Sequence, residues 1–276
     1  MIDMHVHLER GAYTEEWLME FVRYAQERGI TKLHLLEHSH RFEEFQNIYE
    51  SISKDVDDGE CQKEWLERKT KIKLWEYKNF INEMRKMDFP IEINFGLEIC
   101  YFPDKEKEIE ECVSNFHWDF LTGSIHWVDG WGFDNPENKE SWHKKDIDHI
   151  YMRYYGLMIQ LVKSGIFDVL AHPDSIKCFN YYSSIALDDV YKKLALALKD
   201  HKVQVEFNNG LFINYNHEEL GTNRKLLKIL LENGVEIVTA SDAHTPEDVG
   251  RFILEANDII NKFRGFSKES REYAEI

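Results

Sequence analysis

Two histidines and a glutamate alternate with apolar residues in the opening MIDMHVHLERG, where His5, His7 and Glu9 are interleaved with Val6 and Leu8. An extended strand sends alternate side chains to one face, so the three polar groups share one small volume. Imidazole together with carboxylate is a donor set for Zn, Mn or Fe, whereas an all-oxygen set would suit Mg or Ca. HxH alone is a short pattern with many accidental matches. The weight therefore falls on whether the rest of the chain brings further ligands to the same place.

Seven short β-branched or apolar runs, at 2–7, 31–38, 91–99, 119–126, 167–173, 203–208 and 235–244, read as strands. The first ends in His5 and His7, the second in Glu37 and His38, the third in Glu98, the fourth in His126, the fifth in His172 and the seventh in Asp242 and His244. Helical patterns separate them. TEEWLMEFVRYAQERG opens on a Thr14 cap and closes on Gly29, and NRKLLKILLENG closes on Gly234. Repeated βα units imply an α/β fold, a parallel sheet covered by helices, either closed as a barrel or open and doubly wound. In both, functional groups collect at the carboxyl ends of the strands. His117, His143, His149, His201 and His217 fall outside the strands and read as surface residues, and His34, in mid-strand, reads as a core histidine.

Residues 42–88 form a helical insertion after the second strand, with no Pro/Gly/Ser-rich linker to set it apart as a domain. The stretch 127–146, WVDGWGFDNPENKESWHKKD, is polar, aromatic and turn-rich, and reads as a loop over the site. One tetrahedral zinc uses three or four protein ligands. The strand ends offer more than that, so two or three ions are expected, with Glu98 as the bridging carboxylate.

The bulk composition narrows the partners. A formal charge of −17 over 276 residues argues against a nucleic-acid backbone, and any anionic substrate must be met by local positive charge. The four cysteines, Cys61, Cys100, Cys112 and Cys178, form no CxxC pair and suit a reducing cytoplasm. No run approaches 18 apolar residues and the N-terminus lacks a signal-peptide pattern, so neither membrane insertion nor export is expected. Nothing in the composition sets an oligomeric state.

Taken in order, DMHVH at 3–7, LLEHSHRF at 35–42, GLEI at 96–99, SIHW at 124–127, LAHPD at 170–174 and SDAH at 241–244 resemble the polymerase and histidinol phosphatase (PHP) family, over nearly the whole chain. The resemblance implies one domain over 1–276, a distorted (β/α)7 TIM-like barrel with a trinuclear metal site at the C-terminal ends of the strands. It also implies hydrolysis of a small phosphate monoester. The size and the second motif are most similar to the histidinol-phosphate phosphatases of histidine biosynthesis. Other family phosphoesterases, phosphotyrosine phosphatases among them, and a non-catalytic metal-binding remnant are the alternatives.

Carried over by position, His5, His7, Glu98 and Asp242 hold one metal, and Glu98, His126 and His172 a second. His38 and His244 hold the third. The family supplies another ligand there from a loop after the HxH, where this chain has no histidine, so Glu9 is the expected replacement and Glu15 the runner-up. Asp242 and His244 are the candidates for protonating the leaving group, with Glu98 as the third catalytic residue. Substrate contacts are expected from His40, Arg41, Lys177, Asn208 and Asn209. Trp127 and Trp131 offer flat surfaces, and Asp129 and Asp134 offer anions for an imidazole-bearing substrate with an ammonium group.

Overall fold

A computed structural model describes residues 1–54 and 58–272. Seven parallel strands lie side by side in chain order: β1 (Ile2–His7), β2 (Lys32–Leu36), β3 (Glu92–Cys100), β4 (Phe120–Ser124), β5 (Val169–Leu170), β6 (Gln204–Asn208) and β7 (Ile237–Ala240). The last strand returns to the first. Thr239 donates to the Ile2 carbonyl at 3.0 Å, the His7 amide donates to the Ala243 carbonyl at 2.8 Å, and Val6 and Ala243 form an isolated parallel bridge. The closure is thus made by a few contacts where a full ladder would run, and the fold is the expected distorted (β/α)7 barrel.

Helices follow the strands: α1 (Glu15–Glu27) after β1, α2 (Gly59–Lys69) and α3 (Leu74–Met84) after β2, α4 (Glu106–Val113) after β3 and α5 (Ile147–Ser164) after β4. Then come α6 (Asp188–His201), the one-turn α7 (Gly210–Asn214), α8 (Arg224–Glu232) and α9 (Ile253–Glu272). Helix α1 buries Leu18, Phe21, Val22 and Ala25, an i, i+3, i+4, i+7 stripe that turns one face to the strands. Thr14 caps it by accepting from the Trp17 amide at 3.2 Å, and it stops at Gly29, whose φ of +70° continues no helix. Asn223 caps α8 in the same way. Among the described residues no helix is long and apolar enough to cross a membrane.

The strands β2, β4, β5 and β7 stop short of the ends expected from sequence, so His38, His126, His172, Asp242 and His244 stand just beyond them. Part of the cause is backbone conformation. His172 and Asp242 have φ values of +22° and +58°, which a strand ladder does not accommodate. Each leaves its strand by turning inward over the barrel mouth.

The turn carrying Asp242 is pinned from below by Asp3. Its buried carboxylate accepts from the Ser241 amide at 2.8 Å, the Ser241 hydroxyl at 2.5 Å and the Gly250 amide at 2.8 Å. Burial pushes its pKa up to about 6 in spite of these bonds. Replacing Asp3 with Ala strands three donors at the seam between β1 and β7. Denaturant unfolding should show a loss of about 3 kcal/mol, and a loss below about 0.5 kcal/mol would mean that the seam is held by something else.

Candidate metal centre

Strand β1 points His5 and His7 into the barrel mouth, where both are fully buried. Their Nε2 atoms lie 2.9 Å apart. Each is close to Glu98 Oε2, at 3.3 and 3.5 Å, and to Asp242 Oδ1, at 3.6 and 3.8 Å. The other Glu98 oxygen, Oε1, sits 3.0 Å from both His126 Nε2 and His172 Nε2. One carboxylate is therefore divided between two sets of imidazoles. A third set, His7, His38 and His244, stacks alongside, with ring centroids 4.0 Å (His7 to His38) and 4.5 Å (His7 to His244) apart. Glu9 Oε1 reaches His244 Nδ1 at 2.8 Å.

The donor atoms suit cations better than they suit one another. With metal–ligand bonds of about 2.0–2.1 Å, the ligands of a tetrahedral ion lie roughly 3.3–3.4 Å apart, and the first set spans 2.9–3.8 Å. His38 Nδ1 approaches Glu98 Oε2 to 2.7 Å, yet that buried oxygen has no aligned hydrogen bond. His7 Nδ1 and His172 Nδ1 are buried and unpartnered as well. Imidazole and carboxylate donor atoms gathered this closely form three sets able to hold a cation.

The protonation states agree. Burial opposes the charge on Glu98, but His38 and His5 outweigh it, and the carboxyl is held well below its usual range. Burial, and then the neighbouring imidazoles of His38, His244 and His5, keep His7 neutral with its lone pair available. At His244 burial also works against the charge, but Asp242 and Glu9 prevail and lift its pKa to about 9. In the metal-free protein at neutral pH, a cation entering there must displace a proton.

Two carboxylates that touch ring nitrogens fix the orientation of these ligands. Glu206, on β6, accepts from His5 Nδ1 at 2.8 Å, from the His172 amide at 3.0 Å and from Asn208 Nδ2 at 2.9 Å. Glu206 thereby fixes a proton on His5 Nδ1; burial opposes the charge on His5, but Glu206, Asp242 and Glu98 prevail and hold it protonated, so a cation at Nε2 must displace a proton. Asp134 does the same for His126, with Oδ2 at 2.5 Å from Nδ1. Glu206 was absent from the residues singled out by sequence. Its trace there is a carboxylate inside the apolar run VQVEFN, two places before Asn208 and so on the same face.

A cavity of about 530 Å³ opens over the centre. Of the expected substrate residues, His40, Trp127, Asp134 and Asn208 line it; Arg41, Trp131, Lys177 and Asn209 do not. Arg41 is paired with Glu37 at 2.6 Å, and Lys177, only 2% exposed, is held between Asp174 at 2.5 Å and Glu219 at 2.6 Å. Trp131 packs against Trp142, and Asn209 donates to the Arg251 carbonyl. Asp134 faces His126, and Asp129 is clamped by Arg153 at 2.6 Å. Glu15 is exposed in the first turn of α1 and belongs to none of the three ligand sets. Glu37 accepts from the Leu8 amide at 3.1 Å, and burial raises its pKa to about 7.

His34 packs against Phe120 in the core, as its position implied. His217 differs from the expected surface residue: it is buried, with Nε2 3.1 Å from the Tyr182 hydroxyl. Sequence reasoning also missed Arg10, Gln62, Trp65 and Lys69, all of which border the cavity. Three of these come from the insertion, whose path over the barrel mouth no local pattern records.

The PHP domain family matches the chain over residues 3–210, and the PHP-associated family matches residues 221–272. A Deinococcus radiodurans protein carrying the name probable histidinol-phosphatase is 31% identical over 197 residues, 67% of this chain and 72% of that one. The histidinol phosphate phosphatase of Lactococcus lactis, solved with Zn, L-histidinol and phosphate, superimposes with a TM-score of 0.69 at 20% identity, covering 95% of this chain and 93% of that one. The hisK protein of Listeria monocytogenes gives 0.68 at 17% identity, covering 92% and 99%. At these identities the two structures speak for the fold.

Asp242 leaves no room behind it. A Cβ added at Gly210 would lie 2.3 Å from Asp242 Oδ2, well inside contact distance. Gly210→Ala should therefore push the carboxylate off the His5–His7 set and cut bound metal by about one equivalent in elemental analysis, with the protein still folded. Metal content equal to the unmodified protein would show that Asp242 is not a ligand.

Proposed function

The chain belongs to the PHP domain family, and on that premise we propose that it is a metal-dependent phosphate monoester hydrolase whose substrate is L-histidinol phosphate, released as L-histidinol and phosphate. The observation that carries this reading is the division of Glu98 between two imidazole sets with a third beside them. The relative's name and the ligands of the Lactococcus structure support the substrate. We read 1–276 as one catalytic unit that includes the helical insertion, and its action as a cytoplasmic step of histidine biosynthesis. All four cysteines are free, in keeping with a reducing compartment.

His5, His7, Glu98 and Asp242 would hold one ion, Glu98, His126 and His172 a second, and His38 and His244 a third with Glu9 and the adjoining His7. When bound, Zn, Mn or Fe ions supply Lewis-acid chemistry, lowering the pKa of a water toward neutrality and neutralising phosphoryl charge. The need for them follows from the charges present. Glu9, Asp134 and Asp242 line the cavity, while Arg10 and Lys69, its arginine and lysine side chains among the described residues, lie exposed at the mouth. Among the described residues, an anionic substrate finds no buried lysine or arginine lining the cavity.

Asp242 handles the proton, with His244 beside it. Asp242 is held ionised, since burial is outweighed by His5 and His244; so weak a base would take a proton only from a water acidified by bound metal. The same proton would return from Asp242 to the leaving oxygen, while His244, with Nε2 3.4 Å from Asp242 Oδ1, gives up its own proton to a bound cation and serves to hold Asp242 in place. The P–O bond to the alcohol breaks as the water oxygen bonds to phosphorus, so the proton count balances.

Phosphate release from a panel of monoesters, with Mn, Zn and Fe added separately, tests the proposal. We expect kcat/KM for L-histidinol phosphate to exceed that for p-nitrophenyl phosphate by about a hundredfold, and chelation to abolish both. Turnover without that preference leaves only the broader phosphatase reading. No release from any ester would sink the reading altogether.

A further inference from the structure

Helix α2 packs on the core only through partly buried apolar side chains. Among its eleven residues only Gly59 and Gln62 are buried, and its large apolar side chains, Trp65 and Leu66, are each only partly covered. A helix in a globular protein normally holds its place by burying an apolar stripe. This one is fastened by polar groups. The Gln62 side chain, 2% exposed, donates to the Ile52 and Gly130 carbonyls, the latter at 2.8 Å, and accepts from the Gly132 amide at 2.5 Å. Arg68 grips Glu137 through both carboxylate oxygens at 2.7 Å.

These bonds tie α2 to the 127–132 hairpin and to the loop beyond it, and they set Trp65 at the cavity wall. Its ring centroid is 4.8 Å from that of His40 and 5.6 Å from that of Trp127, at interplanar angles of 54° and 64°. All three rings border the cavity. At such steep angles the rings touch as adjoining walls of a corner, and their cavity-facing sides are left as flat surfaces. Neither Trp131 nor Trp142, the remaining tryptophans of the 127–146 loop, borders the cavity.

We propose that the corner of Trp65, Trp127 and His40 is the leaving-group subsite, and that Trp65, supplied by the insertion, determines the preference for esters whose alcohol carries a flat ring. The proposal rests on the phosphatase reading above and deepens it. The Gln62 bonds position the corner, and the phosphoryl group lies toward Glu98.

The test compares kcat/KM for L-histidinol phosphate with that for O-phosphoethanolamine, an amine-bearing ester without a ring, in the metal-loaded protein. In Trp65→Leu the ratio of the two should fall about tenfold, and in Trp65→Phe, which keeps a flat ring, it should stay within about threefold of the unmodified value. Trp65→Met, which fills irregular gaps, carries the same comparison if the leucine variant does not fold. Equal losses on both esters would make Trp65 a structural residue and overturn the subsite, as would a ratio that does not move. If p-nitrophenyl phosphate and the two esters all go unhydrolysed by the unmodified protein, the phosphatase reading has failed and the subsite goes with it.

Discussion

A single buried carboxylate, Glu98, stands among five imidazoles, with oxygen-to-nitrogen distances of 2.7–3.5 Å to His5, His7, His38, His126 and His172. An ionised carboxylate removed from water costs several kcal/mol unless it is compensated, and the compensation here arrives from four different strand ends. The relative register of those strands is therefore the first requirement of the fold. The Glu98 amide donates to the Glu37 carbonyl at 2.9 Å, which fixes β3 against β2 and brings His38 alongside as a bridge partner. On the other side of β3, Glu98 itself pairs with Thr122 of β4.

The rest of the mouth is built to keep these side chains from relaxing away. Glu206 reaches across from β6 to orient His5 and to hold the His172 backbone, while Asp3 anchors the turn that carries Asp242. His172 and Asp242 occupy left-handed backbone conformations that non-glycine residues seldom adopt. Such strain persists only where surrounding contacts over-determine it, and the hydrogen bonds of Tyr154 to the His172 carbonyl and of Asn214 to the Asp242 carbonyl supply some of those contacts. Stability is given up locally so that the donor atoms converge.

Much of this was legible in the sequence because period-2 alternation and strand-end position are local properties. His5 and His7 share a face by parity alone, and His126 and His172 follow apolar runs that could only be buried strands. The substrate residues were much less legible. Arg41 and Lys177 read in the sequence as substrate contacts, whereas their engagement by Glu37, Asp174 and Glu219 depends on tertiary neighbours that spacing cannot reveal. Trp65 was invisible for the same reason: its place beside the metal centre is set by Gln62 bonding to a loop 68 residues away. Glu206 could have been read, since a carboxylate inside an apolar strand needs a buried partner.

The central claim is that Glu98 couples two metal positions. The most direct measurement is transition-metal content, by elemental analysis, of the protein as purified and of Glu98→Gln, an uncharged near-isostere that keeps the fold's shape. The account requires two to three equivalents in the former, in line with its three ligand sets, and a loss of more than one equivalent in the variant. Fully active protein holding one equivalent or less, or a variant that loses no more than one, would contradict it.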